Sequence, residues 1–171
     1  RHFEEISKIT DLPIMAYNIP GRTSTLIELE TLQTLVDDIG IHSIKDAVGD
    51  FEFSKKQLEL LKDKVDIYSG NDNQTYDFVI NGGVGVVSVA SHVVGDEISE
   101  MISFAKDNDL EKAEEINMQL SNLFEAIFEE PSPGPIKKIL SESWEEVGEP
   151  LLPITSITPE LANKIRGFYK K

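Results

Sequence analysis

The run from Ile41 to Ala47 places a lysine inside a short segment typical of a buried strand, bounded by turn residues on both sides. Because strand side chains alternate between two faces, Ser43, Lys45 and Ala47 share one face. The small neighbours leave room for a ligand beside the long amine. Burial favours the neutral amine, which is a nucleophile toward carbonyl carbon. A lysine that snorkels to solvent or pairs with a carboxylate is the alternative, and this strand alone favours that structural role.

The elements around Lys45 form a repeating pattern. Predicted strands at 14–19, 41–47, 65–69 and 84–90 alternate with helical segments, and the connecting loops are short. Such alternation predicts βα units around a parallel sheet, open or barrel-shaped. After residue 107 the pattern becomes helical, with a Pro-rich turn at 131–135. The sequence therefore predicts an α/β domain at 1–107 and a C-terminal helical domain at 108–171.

Composition limits the classes of partner. The 171 residues include 31 Asp and Glu against 16 Lys and Arg, for a net charge of −15, which disfavours nucleic acid and anionic membranes as partners. The absence of cysteine excludes disulfides, thiolate metal sites and thiol nucleophiles. No apolar run reaches the ~18 residues of a membrane helix, and no signal sequence is apparent. We therefore expect a cytoplasmic protein without a membrane partner.

Two weaker patterns do not indicate a cofactor. Gly83-Val84-Gly85 is a fragment of a dinucleotide fingerprint, but it lies within a predicted strand and is better explained by close backbone packing. The three histidines, His2, His42 and His92, fall on different elements without metal-ligand spacing. We expect neither a nucleotide nor a metal.

Several segments together resemble one enzyme family. Tyr17-Asn18-Ile19-Pro20-Gly21-Arg22-Thr23 resembles the Tyr-Asn-x-Pro-x-Arg-Thr motif of the dihydrodipicolinate synthase family, within the pyruvate-dependent class I aldolase (N-acetylneuraminate lyase) superfamily. Ile44-Lys45-Asp46-Ala47 resembles its Schiff-base lysine strand. Ser69–Asp72 and Gly83–Val89 resemble the next two strand ends, and the Pro-rich turn with Lys137 resembles an Asn-Pro-x-Pro-x-Lys segment. Two departures are visible: Ser132 stands where asparagine is usual, and Asn71 where aspartate is common.

The resemblance implies the C-terminal half of a (βα)8 TIM barrel, with about four parallel strands. It also implies a lyase that condenses pyruvate with aspartate semialdehyde, giving 4-hydroxy-tetrahydrodipicolinate in lysine and diaminopimelate biosynthesis. Lys45 would form the Schiff base, Tyr17 would shuttle protons, and Arg22, Gly70 and Val87 would bind substrate. The structural alternatives are a core tyrosine, a solvated arginine, and plain packing roles for the glycine and the valine.

The resemblance covers only the second half of the family's barrel. Because the first four strands have no counterpart here, we expect this chain alone to be inactive, and to self-associate or pair with the missing N-terminal half. The family implies a homo-oligomer, with tetramers of full-length chains. N-acetylneuraminate lyase or another pyruvate aldolase is an alternative, which Arg22-Thr23 disfavours. A non-catalytic half-barrel scaffold is a further alternative.

Overall fold

The computed structural model describes residues 1–169, which divide into two compact units, Arg1–Val87 and a second unit that starts at Ser88. The first unit holds a four-stranded parallel sheet in the order β1-β2-β3-β4. Its strands are β1 (Met15–Asn18), β2 (Ser43–Asp46), β3 (Asp66–Ser69) and β4 (Gly85–Val86). Its α-helices are α1 (His2–Ser7), α2 (Pro20–Thr23), α3 (Leu29–Thr34), α4 (Phe51–Leu61) and α5 (Thr75–Ile80), with a π-helical turn at Leu35–Ile39 and a 3-10 turn at Asp72–Gln74.

One face of the sheet packs against helices. Ala16 on β1, Ile44 on β2 and Ile67 on β3 lie on this face, and each is at most 1% exposed. They form a hydrophobic core with helix residues that include Leu32 and Leu58. Strand alternation therefore sends one set of side chains into the core and the other set to the opposite face.

The opposite face of the sheet is open. Met15 is 42% exposed and Tyr17 is 43% exposed, although both are apolar or aromatic and lie within β1. The register pairs Tyr17 with Lys45, and Lys45 with Tyr68, so these three side chains share the open face. The candidate lysine thus lies on the face that the helices of this unit leave uncovered.

Local signals set the ends of β2. Gly40, with a φ of 75°, ends the preceding helical turn in a left-handed conformation that glycine adopts without strain. After the strand, the Asp50 side chain caps α4 by accepting hydrogen bonds from the backbone N–H groups of Glu52 and Phe53. The lysine strand is therefore defined on both sides by local sequence.

The last strand is shorter than the sequence predicts. Only Gly85–Val86 forms β4, although the backbone N–H groups of Val84 and Val87 still donate to β3 at 2.9 Å. The predicted strand at 84–90 thus extends too far, and Ala90 already has helical angles ahead of the next helix.

The second unit is helical. It contains α6 (Ser91–Lys106), α7 (Leu110–Ala126), α8 (Gly134–Ser143) and α9 (Pro159–Arg166). Helix α6 packs against α7, and α8 packs against α9. The compact units divide at 87/88, so α6 groups with the helices that follow it. The domain boundary predicted at 107/108 stays a prediction. Within residues 1–169, no helix combines the length and apolarity that crossing a membrane requires.

Candidate active site

The Lys45 amine lies against an aromatic ring on the open face of the sheet. Its Nζ is 4.2 Å from the centroid of the Tyr17 ring, on the neighbouring strand. The lysine is half-buried, and across residues 1–169 its amine makes no hydrogen bond or ion pair. The amine thus lies beside the ring without a polar partner among these residues.

A second tyrosine lies next to Lys45 on the other neighbouring strand, but the ring contact of the amine is with Tyr17. Tyr68 lies opposite Lys45 in the register of β3. Its ring packs over β4, because a Cβ built on Gly85 would lie 3.8 Å from Tyr68 Cδ1. The structure thus shows that Tyr17 is the tyrosine in contact with the amine.

Gly70 brings the loop after β3 against the stem of the lysine. A Cβ built on Gly70 would lie 3.0 Å from Lys45 Cε and 2.7 Å from Ala47 Cβ. Such distances leave no room for a side chain, so glycine allows this close approach. The Gly70 N–H donates to the Asp46 carbonyl oxygen at 2.5 Å. The structure therefore brings Gly70, Tyr17 and Lys45 together.

Arg22 and Val87 follow the carboxyl ends of β1 and β4, the two outer strands of the sheet. Val87 is 38% exposed, and its N–H donates to Ser69. Arg22 is exposed, and within residues 1–169 its side chain makes no hydrogen bond or ion pair. No hydrogen bond or ion pair joins either of these two residues to Lys45. Their substrate-binding roles stay predictions.

Arg22 lies in a single helical turn, α2, directly after β1. Pro20 occupies its first turn, where a missing N–H costs nothing. The N–H groups of Arg22 and Thr23 both donate to the Ile19 carbonyl oxygen, at 3.0 and 3.1 Å. The turn gives Arg22 a defined backbone position next to the end of β1.

Behind the lysine lies a buried polar cluster to which the sequence assigned no role. Asp46 is 1% exposed, and its carboxylate accepts hydrogen bonds from Ser54 Oγ at 2.8 Å, Gln57 Nε2 at 3.2 Å and the Val48 N–H at 2.9 Å. Burial raises the pKa of Asp46 above its ordinary value, and the three hydrogen bonds oppose that shift. The helical spacing of Ser54 and Gln57 was the available signal, because residues three apart share a helix face.

Comparisons with known proteins agree on one family. All of residues 1–171 match the dihydrodipicolinate synthetase family. The 4-hydroxy-tetrahydrodipicolinate synthase of Listeria monocytogenes serotype 4b is 36% identical over 98% of this chain and 57% of the relative, and that of Thermosynechococcus vestitus is 41% identical over 97% and 56%. A crystal structure of the synthase from Cyanidioschyzon merolae with lysine bound has a TM-score of 0.92 and 37% identity, over 97% of this chain and 57% of that chain.

The comparisons also bear on the predicted fold. This chain spans about 57% of the length of the curated relatives that it matches first. Together with four parallel strands in sequential order, this confirms the predicted fold class, an α/β half barrel followed by helices. The chain belongs to the dihydrodipicolinate synthetase family.

Proposed function

We propose that the protein acts as a Schiff-base lyase that condenses pyruvate with aspartate semialdehyde to give 4-hydroxy-tetrahydrodipicolinate, a step toward lysine and diaminopimelate. The observation that supports this most directly is the Lys45 amine, held 4.2 Å from the Tyr17 ring centroid on the open face of the sheet. The membership of the whole chain in the synthetase family supports the same reaction class.

The chemistry begins with attack of the Lys45 nitrogen on the ketone carbon of pyruvate. Loss of water gives an iminium, which withdraws electrons and makes the adjacent methyl group acidic. Removal of a methyl proton gives an enamine, whose carbon attacks the aldehyde of the second substrate and forms the new carbon–carbon bond. The amino group of that substrate then attacks the imine carbon, closes the ring and releases the lysine amine.

The other candidate residues would serve this sequence of steps. Tyr17 would move protons to and from the reacting centre, since its ring already lies at the amine. Arg22 would hold a substrate carboxylate, because a guanidinium binds carboxylates in a bidentate manner. Gly70 would contribute backbone contact, and Val87 would pack against pyruvate.

Trapping of the imine tests the proposal. The test uses the complete protein, that is, this chain together with the N-terminal half of the barrel. Pyruvate with borohydride should leave a reduced three-carbon adduct on Lys45, and Lys45→Ala should abolish the label. Lys55→Ala is a matched control, because Lys55 Nζ also lies near a ring, 5.2 Å from that of Phe51. A peptide map with the label on Lys55, or on any lysine other than Lys45, would contradict the assignment.

Other pyruvate aldolases, including N-acetylneuraminate lyase, would use the same lysine and tyrosine. Arg22-Thr23 supports the synthase, as does the match to the synthetase family. Turnover of aspartate semialdehyde, N-acetylneuraminate and ketodeoxygluconate by the complete protein separates these activities. Preference for either of the latter two would replace the synthase assignment.

For the present chain alone, we propose that turnover is absent and that activity requires the other barrel half. Tyr17 is 43% exposed on an open sheet face, so water would compete for the reacting groups. The alternative of a non-catalytic scaffold makes a different prediction, because it has no turnover in any assembly. Activity assays with and without the N-terminal half of a relative distinguish the two.

A further inference from the structure

The inference concerns Asp46, and it rests on the proposed function of Lys45. Its carboxylate is buried between β2 and α4, where three donors surround it: Ser54 Oγ, Gln57 Nε2 and the Val48 N–H. A buried carboxylate is costly unless hydrogen bonds satisfy it. Because Asp46 follows Lys45 directly in β2, the cluster ties the lysine strand to helix α4.

The backbone after Lys45 is held from two further directions. The Asp46 carbonyl oxygen accepts the Gly70 N–H at 2.5 Å, from the loop after β3. The Ala47 N–H donates to the Asn18 carbonyl oxygen at 2.9 Å, on β1. The peptide groups just beyond the lysine therefore have partners on β1 and in the loop after β3, and the Asp46 side chain adds a third attachment on the helical side.

These attachments reach the lysine side chain through Gly70. A Cβ on Gly70 would lie 2.9 Å from the Asp46 carbonyl oxygen and 3.0 Å from Lys45 Cε, so a side chain at this position would press against both groups. A shift of Asp46 would move the surface against which the lysine stem rests. Displacement of a reacting group by ~1 Å can slow a reaction about a hundredfold.

We propose that Asp46 is a positioning residue for the proposed imine chemistry: its hydrogen bonds to Ser54, Gln57 and Val48 hold the end of β2 so that the Lys45 amine stays between Tyr17 and Gly70. Asp46 acts through the backbone, since its side chain lies on the sheet face opposite that of Lys45.

The cluster offers a conservative variant, because one of its atoms is unused. Gln57 Oε1 is buried and has no hydrogen-bond partner among residues 1–169. In Asp46→Asn, rotation of the Gln57 amide would let this oxygen accept the new side-chain N–H. Ser54 Oγ already lies 3.3 Å from the Asp50 carbonyl oxygen and can donate there instead. Asp46→Asn therefore retains most of the attachments, whereas Asp46→Ala removes the three made by the side chain.

The experiment measures the rate of borohydride trapping by pyruvate at Lys45 in the complete protein, well below its unfolding temperature. Trapping in the unaltered protein tests the proposed function separately. Asp46→Ala should then slow trapping about tenfold or more without changing the pyruvate concentration for half-maximal rate, and Asp46→Asn should stay within about threefold of the unaltered protein. The rescue by asparagine distinguishes geometry from a need for the buried charge.

Asp50→Ala is the matched control for lost stability. It removes the side-chain cap of α4 and so lowers stability, but it keeps the side chains that bond to Asp46. It should trap pyruvate at the rate of the unaltered protein.

If Asp46→Ala does not fold, Ser54→Ala takes its place, with an expected slowing of about threefold through one lost hydrogen bond. Trapping in the folded Asp46→Ala, or in its substitute Ser54→Ala, at the rate of the unaltered protein overturns the proposal, as does equal slowing by Asp50→Ala or by Asp46→Asn.

Discussion

The contact between Lys45 and Tyr17 joins residues on adjacent strands that are far apart in the chain. The parallel register sets the two side chains side by side on the open face, with the amine 4.2 Å from the ring centroid. Tyr68 has the same relation to Lys45 in the register, but its ring packs toward Gly85. At this scale the structure distinguishes two tyrosines that strand alternation treats as equivalent.

Removal of one hydroxyl tests the role of Tyr17. Tyr17→Phe retains the ring beside Lys45, but it removes the group proposed to move protons, so turnover should fall about a hundredfold. Steady-state kinetics of the complete protein with pyruvate and aspartate semialdehyde measure this loss. Tyr68→Phe is the control and should change turnover by less than about twofold. Equal turnover in both variants would leave Tyr17 with a packing role only.

The predicted role of Arg22 is separable from imine formation. Arg22→Ala should raise KM for at least one substrate about tenfold, because a charged hydrogen-bonding partner of a carboxylate is lost, while pyruvate trapping at Lys45 survives. The KM of Arg22→Lys should lie between those of the unaltered protein and Arg22→Ala, since lysine retains the charge but not the bidentate geometry. Unchanged KM values for both substrates in Arg22→Ala would argue for a solvated surface arginine.

The ends of strands and helices place the residues of the candidate site. The carboxyl ends of β1, β2 and β3 place Tyr17, Lys45 and Gly70 together, and α4 starts at the Asp50 cap and presents Ser54 and Gln57 to Asp46.

In the helical unit, α8 and α9 are joined by Glu142, whose carboxylate pairs with Arg166 and with Lys138. Ion pairs of this kind make the packing of two helices dependent on pH.

The pairing of α8 with α9 predicts an acid-sensitive contribution to stability. Hydrogen bonds from Arg166, and then from Lys138, lower the pKa of Glu142 from 4.5 to about 2. Since the folded pKa lies below the unfolded one, this contribution is present above pH ~4.5 and is lost as pH falls toward 2. Glu142→Gln should remove ~1 kcal/mol of unfolding free energy at pH 7 and very little near pH 2, after discount for solvent screening.

Urea unfolding at several pH values, followed by the far-UV circular dichroism of the helices, measures this difference. Glu145→Gln is a control on an exposed carboxylate of the same region, for which the structure records no ion pair within residues 1–169. A Glu142→Gln deficit that stays constant from pH 7 to pH 2 would exclude the ion pair as its source.

At the scale of the whole molecule, two properties oppose each other. The sheet of the first unit leaves one face open, with Met15, Tyr17 and Val87 each more than a third exposed, and β1 and β4 have a neighbour on one side only. Unpaired strand edges and apolar faces favour association. The net charge of −15 disfavours contact between identical chains. Which property dominates depends on ionic strength.

We expect this chain to self-associate when the complementary half is absent, and to do so more strongly in salt. At ~0.1 M salt the screening length is about 10 Å, which weakens repulsion between acidic surfaces. Sedimentation velocity across salt concentrations measures the effect. Met15→Glu, on the open face, should weaken association about tenfold, whereas Leu151→Glu, at an exposed position of the helical unit, should not. A monomer at every salt concentration would contradict this expectation.

The sequence by itself determined the α/β order of elements, the strand that contains Lys45 and the motif around Tyr17, because alternation, caps and turn residues act over a few neighbouring positions. Tertiary structure decided the rest. The contact of Lys45 with Tyr17, the approach of Gly70 to the lysine stem and the burial of Asp46 each join segments separated along the chain. Such contacts depend on strand register and on close packing, which no local pattern specifies.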